Sequence, residues 1–142
     1  VRKINRIFWH CTATPEGRPY SVEAIRKDHK ARGWRDIGYH FVIGLDGTIY
    51  TGRPVAQQGA GVNGHNADSV HVCYVGGLDL NRKPKDTRTP EQKAAMYRLT
   101  ESLVAQFPGA TVHGHREFAA KACPSFDVQK DWPAYLASKG AS

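Results

Sequence analysis

No apolar run in this 142-residue chain approaches the roughly 20 residues that a membrane-spanning helix needs, which excludes a helical integral membrane protein. Cysteine is scarce: Cys11, Cys73 and Cys123 are an odd number without framework spacing, which excludes a small disulfide-stapled scaffold. There is no internal repeat and no low-complexity segment, so neither a solenoid nor a disordered tail is expected. Acidic residues are in deficit, 13 Asp and Glu against 20 Lys and Arg, for a net charge of +7. The resulting pI near 9.5 favours polyanionic partners. A long Lys/Arg block is missing as well. The densest basic cluster, "NRKPKDTR" at 81–88, reads as a solvated loop, so no specific nucleic-acid site is expected, and anionic cell-surface polymers satisfy the same electrostatics. The start, "VRKINRIFWH", reads as a first strand and not as a secretion signal, and a leader removed upstream would leave export open.

What is present is ordinary globular material, 40% hydrophobic and 23% charged, consistent with a single monomeric domain over 1–142. Residues 4–9 predict a strand. Ser21 predicts a helix N-cap, with Val22, Ile25 and His29 recurring at helical spacing as far as Gly33. "YHFVIGLDGTIYTG" predicts two strands around Asp46-Gly47. Residues 53–68 form a glycine-rich, polar loop, and "SVHVCYVGG" a buried strand with Cys73 as a free buried thiol. Thr89-Pro90-Glu91-Gln92 carries the N-cap, the N1 proline and the capping-box glutamine of a helix reaching about Gln106. "ATVHGH" predicts a short strand and "DVQKDWPAYLAS" a terminal helix. Strands alternating with helices predict an α/β fold, a central mixed sheet flanked by helices.

The chemistry concentrates in "HGHREFAAKACPSF", residues 113–126. A catalytic zinc takes three protein ligands and leaves a position for water, and imidazole and thiolate are its preferred donors. His10, one of His113 and His115, and Cys123 could supply that set from two regions of the chain. A strand would put both imidazoles of "HGH" on one face. A Cys11–Cys123 disulfide competes for the same thiol. Lys121 could aim an ammonium at a carbonyl oxygen, and Tyr39 could offer a hydroxyl. A solvated lysine and a packing aromatic are the ordinary readings of those two residues.

The segments "FWHCTAT", "IRKDHKARGWRDIGYHFVIGLDGTI", "VCYVGGLD", "TPEQ" and "HREFAAKACPSFD" resemble the zinc-dependent N-acetylmuramoyl-L-alanine amidases of type 2. They come closest to the small phage lysozyme-amidases of the T-seven type, which share a fold with peptidoglycan recognition proteins. The resemblance implies zinc bound by His10, His115 and Cys123, with His113 near the site but not a ligand. It implies Tyr39 and Lys121 at the catalytic positions. It also implies cleavage of the amide between N-acetylmuramic acid and L-alanine in peptidoglycan. Such an enzyme would be made in the cytoplasm of an infected or lysogenic bacterium and act on the cell wall. A phage RNA polymerase is implied as a second partner, and a receptor that binds peptidoglycan without cutting it is the alternative within the fold. In one loop the sequence departs from the pattern. The family's usual histidine, in a G-x-H-A context, falls at Gly61, while His65 and Asn66 lie nearby as candidate substrate contacts. His71 stands where a small residue is common.

Overall fold

The structure, a computed structural model, describes residues 2–140. Five strands form the main sheet: β1 (Arg6–Cys11), β3 (Phe41–Ile43), β4 (Ile49–Thr51), β5 (Ser69–Tyr74) and β7 (Thr111–Gly114), in the order β4-β3-β5-β1-β7. β1 runs parallel to β5 and β7, β3 runs parallel to β5, and only β4 is antiparallel to its neighbour, so the sheet is mixed as predicted. Two short strands, β2 (Thr14–Pro15) and β6 (Gly77–Leu78), pair in parallel beside it. Three helices complete the fold: α1 (Val22–Ala31), α2 (Pro90–Gln106) and α3 (Val128–Gly140).

Strand periodicity divides the central sheet into two unlike faces. In register, Ile7 lies opposite Val70 and Val112, and Trp9 opposite Val72. These side chains form the main core with Ala95, Met96 and Leu103 of α2 and Val128 of α3. The indole N–H of Trp9 meets Thr100 Oγ1 at 3.0 Å, so burying the ring leaves no orphaned donor. The alternate positions carry rings. His40, His71, Phe8 and His113 follow one another across neighbouring strands on the opposite face, and His10 lies one step further along β1. That face is covered by Ile25 of α1, by Ile37 and by the loop over 53–68.

The helix signals read from the sequence hold in the structure. Ser21 Oγ accepts from the Ala24 N–H at 3.1 Å and Thr89 Oγ1 from the Gln92 N–H at 3.0 Å, while Gln92 Oε1 takes the Thr89 N–H at 2.9 Å. The amide nitrogen of Gln92, fully buried, donates to the carbonyls of Ile43 and Val75 and ties α2 to the ends of β3 and β5. The "NRKPKDTR" cluster is not uniformly solvated. Arg88 is buried, and its guanidinium bridges Asp86 and Asp131, which ties this strap to α3. No helix among the described residues is long and apolar enough to cross a membrane.

Candidate metal centre and active-site groove

β1 runs two residues beyond the predicted Trp9, to Cys11, because its backbone stays paired with β5 through Cys73 and Tyr74. His10 is thereby held rigidly near the carboxyl end of a central parallel strand, the place where sheets of this kind gather ligands. β7 stops at Gly114, and His115 opens a 3-10 turn over His115–Glu117. The turn is fixed by Glu117, whose Oε2 accepts the Gly114 N–H at 2.6 Å while Oε1 sits 2.9 Å from His113 Nδ1. The expectation that one strand carries both imidazoles on one face is therefore corrected. His113 is spent on Glu117 and on Thr111 Oγ1, and His115 turns towards His10, 4.9 Å between ring centroids. Glycine between the two histidines is required by packing, since a Cβ there would lie 2.9 Å from Pro124 Cδ and from Val128 Cγ2. Its absence lets the Cys123-Pro124 segment close against β7.

Cys123 is held on several sides. Its carbonyl accepts the Arg116 N–H at 2.8 Å, the next carbonyl along accepts the Tyr74 hydroxyl at 2.6 Å, and Ser125 Oγ donates to Gly77 O at 2.8 Å. The sulfur accepts the backbone N–H of Cys11 at 3.2 Å and lies 3.8 Å from His10 Nδ1. One donor atom each from His10, His115 and Cys123 falls within 4.8 Å of the other two, and among the described residues this is the one His/Cys/Asp/Glu group with metal-binding geometry. His113 is not part of it. All three cysteines are free thiols, so the sulfur is available, and Cys73 is fully buried as predicted.

The donor set suits zinc. Two ligands at tetrahedral Zn–N and Zn–S bond lengths stand about 3.5 Å apart, close to the nitrogen–sulfur separation observed. Burial pushes His10 well below the usual imidazole range, with His71 and His115 adding to the effect, and burial and Lys121 lower His115. Both rings are thus neutral near pH 7, the form that offers a lone pair. The hydrogen bond with Cys11, together with burial, pushes the Cys123 thiol well up. Such a thiol ionises only when a cation sits against it.

Tyr39 and Lys121 converge on the same place. Tyr39 is half-buried, its ring 5.1 Å from that of His10, and burial followed by the Cys73 thiol raises its hydroxyl well above the usual phenol range. Lys121 is exposed at the rim. A cavity of about 220 Å³ is lined by Tyr39, His115, Lys121 and Cys123, and another of about 420 Å³ by Trp34, Asn66, His115, Phe118 and Lys121. His115 and Lys121 border both, so the two are halves of one groove. The His65 ring packs tilted against Phe118, 4.7 Å between centroids, and Asn66 Oδ1 accepts the N–H groups of Gly61 and Val62 at 3.0 and 2.9 Å, bracing the loop that walls the groove. A residue without a role in the sequence reading also reaches the site: His71 Nδ1 is 2.9 Å from His10 Nε2. The signal was present in "SVHVCY", where Ser69, His71 and Cys73 alternate with apolar residues in a strand otherwise built for burial.

The model of the family described as N-acetylmuramoyl-L-alanine amidase matches residues 1–126. The chain is 43% identical over 131 residues to the endolysin of Klebsiella phage KP32, covering 92% of this chain and 87% of that protein. It is 43% identical over 126 residues to the endolysin of Escherichia phage T7, covering 89% and 83%. Among solved structures, N-acetylmuramoyl-L-alanine amidase LysC from Clostridium intestinale is similar with a TM-score of 0.82 at 28% identity, over 96% of this chain and 87% of that one. The bumblebee peptidoglycan recognition protein PGRP-SA is similar with a TM-score of 0.77 at 28% identity, over 96% and 84%. Matched in sequence over most of its length and in fold over nearly all of it, the chain belongs to the N-acetylmuramoyl-L-alanine amidase family.

Proposed function

We propose that this chain is a zinc-dependent endolysin, a catalytic domain over 1–142 that hydrolyses the amide between N-acetylmuramic acid and L-alanine in peptidoglycan. The observation that carries the reading is the meeting of His10, His115 and Cys123 donors within 4.8 Å, on a groove that also presents Tyr39 and Lys121. A zinc ion held by those three side chains would supply a Lewis acid and lower the pKa of water to roughly 7. Lys121 brings an ammonium beside His115, where it offsets the charge that grows on the amide oxygen as the carbonyl becomes tetrahedral. One such preorganised donor is typically worth about 10²–10³ in rate. Tyr39, its ring beside that of His10, keeps its proton at neutral pH, so its O–H would be a hydrogen-bond donor for the attacking water or the oxyanion. The halves of the groove on either side of His115 and Lys121 suit the two sides of a cut amide, with His65 and Asn66 on the wall of the larger one. The net charge of +7 draws the protein towards anionic wall polymer, its site of action after synthesis in an infected or lysogenic cell.

A receptor that only binds peptidoglycan has no need of a complete donor set with a lysine beside it, and both are present here. Mass spectrometry of digested sacculi, with and without a chelator, tests the reading. Glycan strands stripped of peptide and stem peptides beginning with L-alanine should be released, and chelation should stop their release. New reducing sugar ends without amide cleavage would make the protein a glycosidase and end the proposal.

A further inference from the structure

Beside the donor set lies a histidine that the chemistry above does not use. His71 is fully buried in β5, its ring stacked side by side with Phe8 (5.6 Å, 11°) and His40 (5.7 Å, 5°). Its Nδ1 faces His10 Nε2 at 2.9 Å, and its own Nε2 is buried without a hydrogen-bond partner. The row is locked from one side. The backbone N–H of His71 donates to His40 Nδ1 at 2.9 Å, and a peptide N–H can only donate. His40 therefore carries its proton on Nε2, which donates to Gln57 O at 2.8 Å. The loop closes over the His71 ring only because residue 61 has no side chain. A Cβ on Gly61 would lie 2.4 Å from His71 Nδ1 and 2.7 Å from Cε1.

Two neutral imidazoles facing each other share one hydrogen bond, and it can run either way. If His71 donates, the proton of His10 must sit on Nδ1, pointing at Cys123 and blocking the metal position. If His10 donates, its Nδ1 lone pair faces Cys123, and the proton of His71 moves to Nε2. We propose that His71 is a positioning residue for the metal centre: its Nδ1 accepts the Nε2–H of His10 and so holds His10 in the tautomer and ring orientation that bind zinc. The assignment rests on the zinc reading given above. It also accounts for the pairing of Gly61 with His71, because the volume that a side chain at 61 would claim is the volume that the His71 ring fills.

The test is zinc affinity of the full chain, measured by competition with a chelator of known strength, together with long-range ¹H–¹⁵N spectra of histidine-labelled protein. His71→Phe keeps a stacking ring and removes the acceptor. Folded by circular dichroism, it should bind zinc about 10–100-fold more weakly than wild type. The double change Gly61→His with His71→Gly sends an imidazole into the same volume from the loop and should recover most of that loss. In the zinc-loaded wild type, His10 and His71 should both carry their protons on Nε2. Zinc affinity of His71→Phe equal to wild type, or His71 protonated on Nδ1 with zinc bound, overturns the assignment. Should the variant not fold, the wild-type spectra decide alone. A wild type that binds no zinc removes both the zinc reading and this one. A wild type that binds zinc, matched by His71→Phe, removes only this one.

Discussion

Arg88 offers the sharpest test of how the segment bearing Cys123 is held. Its side chain is fully buried and spends Nε and Nη2 on Asp86 at 2.9 Å each, and Nη1 and Nη2 on Asp131 at 3.1 and 3.0 Å. Its Cζ stands 3.6 Å from the ring centre of Phe126, three residues after Cys123. Arg88→Met keeps the apolar contact with that ring and leaves two carboxylates facing each other without a cation. Removing one partner of a fully buried pair costs about 3–5 kcal/mol. Here the Asp86 and Asp131 side chains are 29% and 24% exposed, so water recovers part of that. The expected loss is about 2–3 kcal/mol, most of it from the stranded charges. At this chain length 1 kcal/mol moves the melting point by about 3–4 °C, so Tm should fall by about 6–12 °C. Calorimetry and urea titration of metal-free protein measure it. Adding Asp131→Asn to Arg88→Met should return part of the loss. A single variant within about 0.5 kcal/mol of wild type, the range of unremarkable surface changes, would refute the account of Arg88 as a buried clamp.

Lys121→Ala should retain zinc and lose about 10²–10³ in turnover on labelled peptidoglycan, and full activity would remove the residue from the chemistry. Cys123→Ser should purify without zinc, and added zinc should no longer raise its Tm, whereas wild type at 100 times its Kd should gain about 2.7 kcal/mol. Dye release by metal-free Cys123→Ser at the wild-type rate would contradict the role of the thiolate. For acid stability the sign follows from Asp86, whose carboxyl the Arg88 hydrogen bonds hold below its usual value against the opposing effect of burial. Its contribution is complete above the unfolded carboxylate pKa of about 3.9 and disappears as pH falls through the lower folded value. Chemical denaturation of chelated protein between pH 5 and pH 2 should therefore show a steeper decline in wild type than in Asp86→Asn, and parallel curves would count against it.

Much of the fold was legible because its signals are local. The Thr89–Gln92 capping box, the Ser21 cap and the Asp46-Gly47 hairpin each depend on side chains within a few residues of the backbone groups they serve. The sheet order was not legible in this way, since β1 takes its partners from residues 69–74 and 111–114. Composition pointed to His10 and Cys123 as donors but could not choose between His113 and His115. That choice turns on where β7 ends, and the strand ends because Glu117 captures the Gly114 N–H from three residues downstream. A period-two reading carried one residue too far puts the wrong imidazole in the same frame. Arg88 was hidden for the opposite reason. In a run with three other basic residues it looks like surface, and only Asp131, 43 positions later, reveals it as core.

The two faces of the sheet divide the work between them. On the α2 and α3 side, Ile7, Trp9, Val70, Val72 and Val112 meet apolar partners, and burial there is favourable without further conditions. On the other side, His10, His40 and His71 lie equally deep, and each must stay neutral and find a partner for its ring nitrogens or cost stability. His40 meets that demand with Gln57 O and the His71 N–H, and His10 Nε2 meets it with His71. His10 Nδ1 meets it only with a sulfur 3.8 Å away, a poor hydrogen-bond partner and a good companion ligand. A core selected for stability alone would have replaced these rings with valine or leucine. On the zinc reading, the presence of these rings in a row that ends at His10 Nδ1 is accounted for by the metal that this nitrogen would hold.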